Sequence, residues 1–328
     1  MKICVYGAGA IGGNFAARLA DAGNEVSVVA RGAHLEAIKA RGLTLLAGDK
    51  KIVAKVHASD RPADLGPQDA VISTLKATAL GDLAASVTPL LGPDTPVVFA
   101  QNGIPWWYGH GLSRSRPPAP DLSMLDPGGA LAKAVGLHRT LGGTISSPNH
   151  VVEPGVVVNE IPDRNVLCVG EIDDRPSQRV GMLRAALKGA GISSPDTTDI
   201  RYDIWHKLMA NLTGSTVALI LGQPSSVQKT PLVNRMCRRA HAEALAVAEA
   251  HGVKLDDHPD MRYGPKRVYF DHRPSILQDY DLGRPMEIES IVRAPIAFAR
   301  SAGVDTPTLD AIEAVTVTLA ASKGLYAH

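Results

Sequence analysis

Along its first hundred residues the chain alternates short apolar runs with segments whose apolar positions recur at helical spacing. Residues 2–6 read as a buried strand. Residues 11–22 read as a helix with Ile11, Phe15, Leu19 and Ala22 along it, 25–30 as a valine-rich strand, and 33–41 as a helix stopped by Gly42. Two further apolar strands fall at 69–74 and 95–100, with a helix at 79–91 between them that Gly92 ends. Strands alternating with helices in this way predict a parallel sheet joined by right-handed crossovers.

The rhythm breaks after Trp106. Pro117, Pro118, Pro120, Pro127 and several glycines crowd the next stretch, which reads as an excursion outside the core. Regular signals return at 139–145, 155–159 and 166–170 as antiparallel strands expected to finish the sheet, followed by a helix at 177–190. Past about residue 200 the pattern is helical throughout, at 204–221, 232–251, 285–302 and 309–322. The expected fold is therefore an α/β domain over residues 1–199 followed by an all-helical C-terminal domain over 200–328, a division consistent with a length of 328 residues.

A net charge of +1 supplies no global field that would draw the chain to nucleic acid or an anionic membrane, so any anion site has to be local. Cys4, Cys168 and Cys237 stand far apart and form no metal-ligand spacing, which suits reduced thiols and a cytoplasmic location. The run Asp256-Asp257-His258-Pro259-Asp260, with His241 and His251 upstream, reads as a solvated loop with no metal, because no ligand count or geometry is defined.

The first strand ends in Gly7-Ala8-Gly9-Ala10-Ile11-Gly12 and a helix follows. Each glycine has a task at a dinucleotide site: Gly7 permits the tight turn, Gly9 lets the backbone approach a pyrophosphate, and Gly12 lets the helix pack close to the sheet. The helix N-terminus then offers amide donors to the phosphates. This context makes the N-terminal domain a Rossmann domain. At the end of the second strand, where an NAD enzyme carries an acid for the ribose hydroxyl, the sequence reads Val28-Val29-Ala30-Arg31. Arginine can pair with a 2′-phosphate, so the expected cofactor is NADP(H).

The helical half opens on Trp205-His206-Lys207-Leu208-Met209-Ala210-Asn211. Lys207 and Asn211 are four apart and share a helix face, which Ser215 and Leu219 continue. Further on, Ser275 and Gln278 have the spacing of a helix-capping box, ahead of Glu287 and Glu289.

Taken in order, these motifs resemble the ketopantoate reductase (2-dehydropantoate 2-reductase) family: the glycine turn, Arg31, Leu75-Lys76-Ala77, Gln101-Asn102-Gly103, Trp205-His206-Lys207-Leu208 with Asn211, Ser275-Ile276-Leu277-Gln278-Asp279, and Glu287-Ile288. The resemblance implies an oxidoreductase of pantothenate biosynthesis that reduces a small 2-keto acid with NADPH. Lys207 would be the catalytic lysine that gives a proton to the ketone oxygen. Asn102, Asn211 and Ser275 would hold the substrate, and Ser215, on the face that Lys207 and Asn211 share, is a further candidate for it. Gly7, Ala8, Gly9, Ala10, Ile11, Gly12, Arg31, Lys76, Asn102 and Glu287 would bind the cofactor. Separately, long apolar-faced helices such as 232–251 could extend an interface, which makes a homodimer a possible assembly. Hydride transfer builds negative charge on the oxygen, and a cation with a proton to give is the group that stabilises it.

The chain departs from the family pattern at Ser215 and Ser225, where asparagine is usual, at Val292-Arg293, and over 106–138. The shorter polar reach, together with Trp106, Trp107 and Tyr108, points to a pocket for a bulkier or aryl 2-hydroxy acid as the alternative. A non-catalytic NADP(H)-binding sensor is a third reading.

Overall fold

A computed structural model of the chain describes residues 1–269 and 271–326. They form two compact units, one of residues 1–101 and 126–200, the other of residues 102–125 and 201–328.

The first unit runs β1 (Lys2–Tyr6), α1 (Ala10–Asp21), β2 (Glu25–Val29), α2 (Gly32–Arg41), β3 (Leu43–Ala47), β4 (Lys50–Ala54), β5 (His57–Ser59), β6 (Ala70–Ser73), α3 (Leu80–Ser86), β7 (Val97–Gln101), α4 (Ala130–Val135), β8 (Thr140–Ser146), β9 (Asn149–Glu153), β10 (Val156–Asn159), β11 (Val166–Glu171) and α5 (Gln178–Gly189). Its main sheet has the order β11-β8-β7-β6-β1-β2-β5. All neighbours are parallel except β11, which is antiparallel to β8. The chain builds outward from β1 through β2 to β5, then crosses to β6 on the other side. That reversal makes the carboxyl end of β1 a topological switch point, the place where open α/β sheets bind ligands. Ile3, Val5, Phe15, Leu19, Val28, Ile72 and Val98 are all buried in the core on which this arrangement rests.

Two expectations are corrected here. The strands at 139–145, 155–159 and 166–170 do not all finish the main sheet. β8 joins it in parallel and β11 antiparallel, whereas β10 belongs to a second sheet of order β4-β3-β10-β9 that packs on α1. Gly13 is the contact point, since a Cβ there would come 2.7 Å from a Val157 methyl. The predicted helix at 79–91 is also shorter: α3 stops at Ser86, and a single 3-10 turn follows at Thr88–Leu90, where Pro89 removes a ladder donor.

The second unit consists of helices, and no strand occurs among its described residues. They are α6 (Ile200–Ala210), α7 (Thr216–Leu221), α8 (Pro231–Ala250), α9 (Pro259–Tyr263), α10 (Ser275–Asp281), α11 (Ala294–Ala302) and α12 (Pro307–Ser322). Wide π-turns at Asn211–Ser215 and Glu289–Arg293 interrupt what the sequence pattern shows as continuous helices. Proline at the first position starts α8 and α12, and Gly222 and Gly303 in the left-handed region end α7 and α11. No helix among the described residues is long and apolar enough to cross a membrane.

The excursion after Trp106 is not peripheral, and the contiguous domain expected over 1–199 is interrupted by it. Residues 102–125 count with the helical unit, where Trp106, Trp107 and Tyr108 are buried. The fully buried Arg201 guanidinium donates to the carbonyls of Tyr108 and His110 and lies over both the Trp107 and Tyr108 rings. Trp205 Nε1 donates to the Tyr108 hydroxyl at 2.7 Å. Three consecutive aromatics carry too much apolar surface to remain outside a core; the prolines that punctuate the segment lie further along.

His241 on α8 is fully buried, and neither ring nitrogen has a hydrogen-bond partner among the described residues. The Asp257 carboxylate lies 3.6 Å away and is itself paired with Arg262. Burial pushes the imidazole pKa down to about 4, against the pull of Asp257. The unfolded chain therefore takes up a proton near pH 6.5 that the folded protein refuses until about pH 4, so stability falls as pH drops through this window. Between pH 7.5 and pH 5 the loss from this group is expected to be about 2 kcal/mol. Urea midpoints at the two pH values check it: His241→Leu should flatten the dependence, and an unchanged slope would rule the group out as its source.

Candidate active site

The carboxyl end of β1 runs into the glycine turn, and its backbone is held from two sides. The amides of Gly7 and Ala8 both donate to Val29 O, at 3.1 and 3.2 Å. Thr74 Oγ1, just past β6, donates to Gly7 O at 2.6 Å. Gly7 adopts φ +100°, and a Cβ on Gly12 would lie 2.0 Å from Gly7 O and 2.5 Å from Thr74 Oγ1. Gly12 thus lets α1 approach the strand ends as closely as it does. Gly9 is exposed with nothing within 4 Å of an added Cβ, and it starts α1 with no side-chain cap and no acid in the first turn. Beyond it Ala10 and Ile11 are half-buried, while Ala8 is buried beneath the turn. The result is an uncapped helix N-terminus facing open space, which is what a phosphate group requires.

A residue the sequence did not signal braces this turn. The Gly155 amide donates to His34 Nδ1 at 2.9 Å, so that nitrogen carries a lone pair. The proton of the neutral ring then sits on Nε2 and is donated to Ala8 O at 2.7 Å. Arg31 stands at the end of β2 as the residue before α2, exposed, with its guanidinium 3.0 Å from the Asp82 carboxylate on α3. Lys76 follows Leu75, whose side chain packs on Gly7, and is half-buried.

In the helical unit, Lys207 lies in the last turn of α6, half-buried. Asn211 opens the π-turn that follows and Ser215 closes it; both are half-buried. The wider turn changes the phase in which the helix continues past Asn211, so the α-helical spacing from Lys207 and Asn211 does not carry over unchanged to Ser215 and Leu219. Leu219 is buried. This π-turn packs against the second one, at Glu289–Arg293, and against α10. Ser275 is the first residue of α10 and is exposed, and the capping box expected of it does not form. Pro274 occupies the cap position, and Gln278 Nε2 donates to Arg273 O instead.

Asn102 also belongs to the helical unit, half-buried, with Nδ2 3.4 Å from Glu287 Oε2. Glu287 is buried and lies in non-helical backbone just before Ile288. A backbone latch holds the two together. Ile104 N donates to Ser290 O at 2.8 Å, and Gly103 at φ +76° passes so close that a Cβ would stand 2.3 Å from the same oxygen. The structure therefore groups Asn102 with Glu287, and the segment bearing Asn211 and Ser215 with the helix bearing Ser275. Separately, it groups the glycine turn with Thr74, Leu75 and His34.

In the acidic run after α8, two of the carboxylates are held in ion pairs. Asp257 pairs with Arg262, and Asp260 with Arg238. His251 Nε2 lies 2.9 Å from Phe298 O. The three cysteines are buried free thiols.

Two family models match this chain: "Ketopantoate reductase PanE/ApbA" over residues 3–110 and "Ketopantoate reductase PanE/ApbA C terminal" over residues 199–318. A 2-dehydropantoate 2-reductase of Mesorhizobium japonicum is 38% identical, covering 99% of this chain and 100% of its own. A crystal structure of a putative ketopantoate reductase from Ralstonia solanacearum superposes with a TM-score of 0.88 at 34% identity, covering 99% of each chain. A ternary structure of D-mandelate dehydrogenase with NADH and anilino(oxo)acetate shares the fold, with a TM-score of 0.81 at 23% identity over 99% of this chain and 100% of its own. Both halves of the chain, and nearly its full length, thus match one kind of protein: it belongs to the ketopantoate reductase family of oxidoreductases.

Proposed function

We propose that this protein reduces a 2-keto acid with NADPH, 2-dehydropantoate first among the candidates, and that Lys207 is its general acid. The observation that carries the reading is the open, uncapped start of α1 over the Gly7–Gly12 turn, with Arg31 where an acid would mark an NAD site. The residues present fit a dinucleotide. The space over Gly9 admits a pyrophosphate, the first-turn amides meet it, and Arg31 and Lys76 supply positive charge for phosphate. Asn102 and Glu287, held as a pair, are suited to bind ribose hydroxyls, one offering donors and the other acceptors.

When bound, the cofactor supplies the hydride to the ketone carbon. The chain supplies the rest. Lys207 Nζ holds a proton for the ketone oxygen and, as a cation, stabilises the charge that grows there. Asn211, Ser215 and Ser275 are neutral hydrogen-bonding groups that orient the acid without placing a second charge beside the lysine.

A second reading, oxidation of a bulkier or aryl 2-hydroxy acid, draws on Ser215, whose short side chain stands where the family pattern has asparagine. The likeness in fold to D-mandelate dehydrogenase suits it. The aromatic run no longer supports it, because Trp106, Trp107 and Tyr108 fill the core of the helical unit.

Steady-state assays decide between the two, following NADPH and NADH oxidation with 2-dehydropantoate, aliphatic and aryl 2-keto acids, and the reverse reaction with the hydroxy acids. NADPH-dependent turnover of 2-dehydropantoate supports the first reading, and aryl preference the second. Tight NADPH binding without turnover of any of these acids would overturn both and leave a cofactor-binding sensor.

A further inference from the structure

The Arg31 guanidinium already has a partner. Its Nη1 lies 3.0 Å from Asp82 Oδ2, and both side chains are more than half exposed. The backbone that carries the carboxylate is tied to β1. Asp82 stands in the first turn of α3, Ser86 Oγ donates to Asp82 O at 2.7 Å, and Ser86 Oγ is hydrogen-bonded to the hydroxyl of Tyr6, the last residue of β1. Arg31 is the longer and more exposed partner, on the residue before α2.

We propose that Asp82 is a specificity-determining residue of the dinucleotide site, weakening its preference for a 2′-phosphate over a 2′-hydroxyl by holding Arg31. The inference rests on the reading above, in which the cofactor lies on the glycine turn and Arg31 meets the adenosine ribose. A 2′-phosphate carries close to two negative charges. To pair with it, Arg31 must leave Asp82 or share itself between two anions. A ribose hydroxyl carries no charge, so neither cost applies to NADH. The site thus presents a cation for NADPH with a fixed internal competitor, an arrangement that narrows the gap between the two cofactors. Exposed pairs are weak, which sets the scale of the effect.

Isothermal titration of the intact protein with 2′,5′-ADP, 5′-AMP, NADPH and NADH tests this without relying on turnover. Asp82→Asn is expected to tighten 2′,5′-ADP and NADPH by about three- to tenfold and to leave 5′-AMP and NADH within about twofold. In an Arg31→Ala background the gain from Asp82→Asn should shrink to less than about twofold, because the competition acts through the arginine. An unchanged 2′,5′-ADP affinity in Asp82→Asn overturns the proposal, as does a gain that persists undiminished without Arg31. If none of the four ligands binds the wild-type protein, the reading of the glycine turn fails first and takes this inference with it. If all four bind and only the Asp82 effect is missing, that reading stands and this inference alone falls. Thermal unfolding of Asp82→Asn without ligand should match the wild type, since the side chain lies on the surface.

Discussion

Alanine in place of Lys207 is expected to lower kcat by about 10²- to 10⁴-fold, the range that a positioned general acid contributes. The NADPH dissociation constant should stay within about twofold, since the residues proposed to hold the phosphates lie elsewhere in the chain. The lysine is placed by the last turn of α6, whose apolar side is fixed by buried Ile204, Trp205, Leu208 and Met209, so shortening the half-buried side chain leaves the helix in place. Two contributions are lost together, the proton for the ketone oxygen and the positive charge beside it. Lys207→Arg separates them: the guanidinium keeps the charge but does not give up a proton in the working pH range. It should therefore recover part of the lost rate at most. If Lys207→Ala retained kcat within about tenfold of the wild type, below what a general acid supplies, the assignment would fail.

How much of this was legible in the sequence differs between the two units. In the first, apolar runs of strand length and a glycine turn placed early in the chain are local signals, and they found β1, α1, β2, α2, β6 and β7 with small shifts at the ends. The β3–β4 hairpin carried a readable signal too, because Gly48-Asp49 is a two-residue turn between short apolar runs. Its second strand begins Lys50-Lys51, which hides the alternation. That β10 would leave the main sheet and pair with β3 has no local signature, since the two strands stand more than a hundred residues apart in sequence and only the fold brings them together.

In the helical unit the positions of helices were readable and their phase was not. A π-turn differs from an α-turn by one residue, and the apolar spacing on either side of Asn211–Ser215 looks continuous. The phase in which Ser215 follows Lys207 is therefore set by the π-turn and not by the apolar pattern. The aromatic run after Gly103 is a parallel case. Composition marked the stretch as irregular, which is true of its backbone, but the partner that draws it into the core, Arg201, is far along the chain. Within the candidate site the glycines could be named from the turn motif, whereas Thr74, His34 and Asp82 could not. Their roles arise where separate strand and helix ends meet, and only the sheet order brings those ends together.

Gly12→Ala and Gly9→Ala should separate what the turn does for folding from what it does for binding. At Gly12 the new methyl carbon would stand 2.0 Å from Gly7 O and 2.5 Å from Thr74 Oγ1. The first of these is backbone, tied by the Thr74 hydroxyl and by the amide bonds of Gly7 and Ala8 to Val29 O, so α1 must move instead. Overpacking of this kind costs about 1–3 kcal/mol, and the displaced first turn no longer presents its amides in register, so NADPH affinity should fall by about tenfold or more. Removing the threonine hydroxyl in Gly12→Ala/Thr74→Ala relieves only the second contact and should restore little. At Gly9 the backbone sits at φ −67° and a methyl meets nothing within 4 Å, so Gly9→Ala should unfold at the wild-type temperature. Its methyl would nonetheless occupy the space that the pyrophosphate needs, and NADPH affinity should fall by a similar factor, about tenfold. Thermal unfolding and titration calorimetry read the two effects independently. A Gly9→Ala protein that binds NADPH as tightly as the wild type would mean that the open face of the turn is not where the cofactor lies.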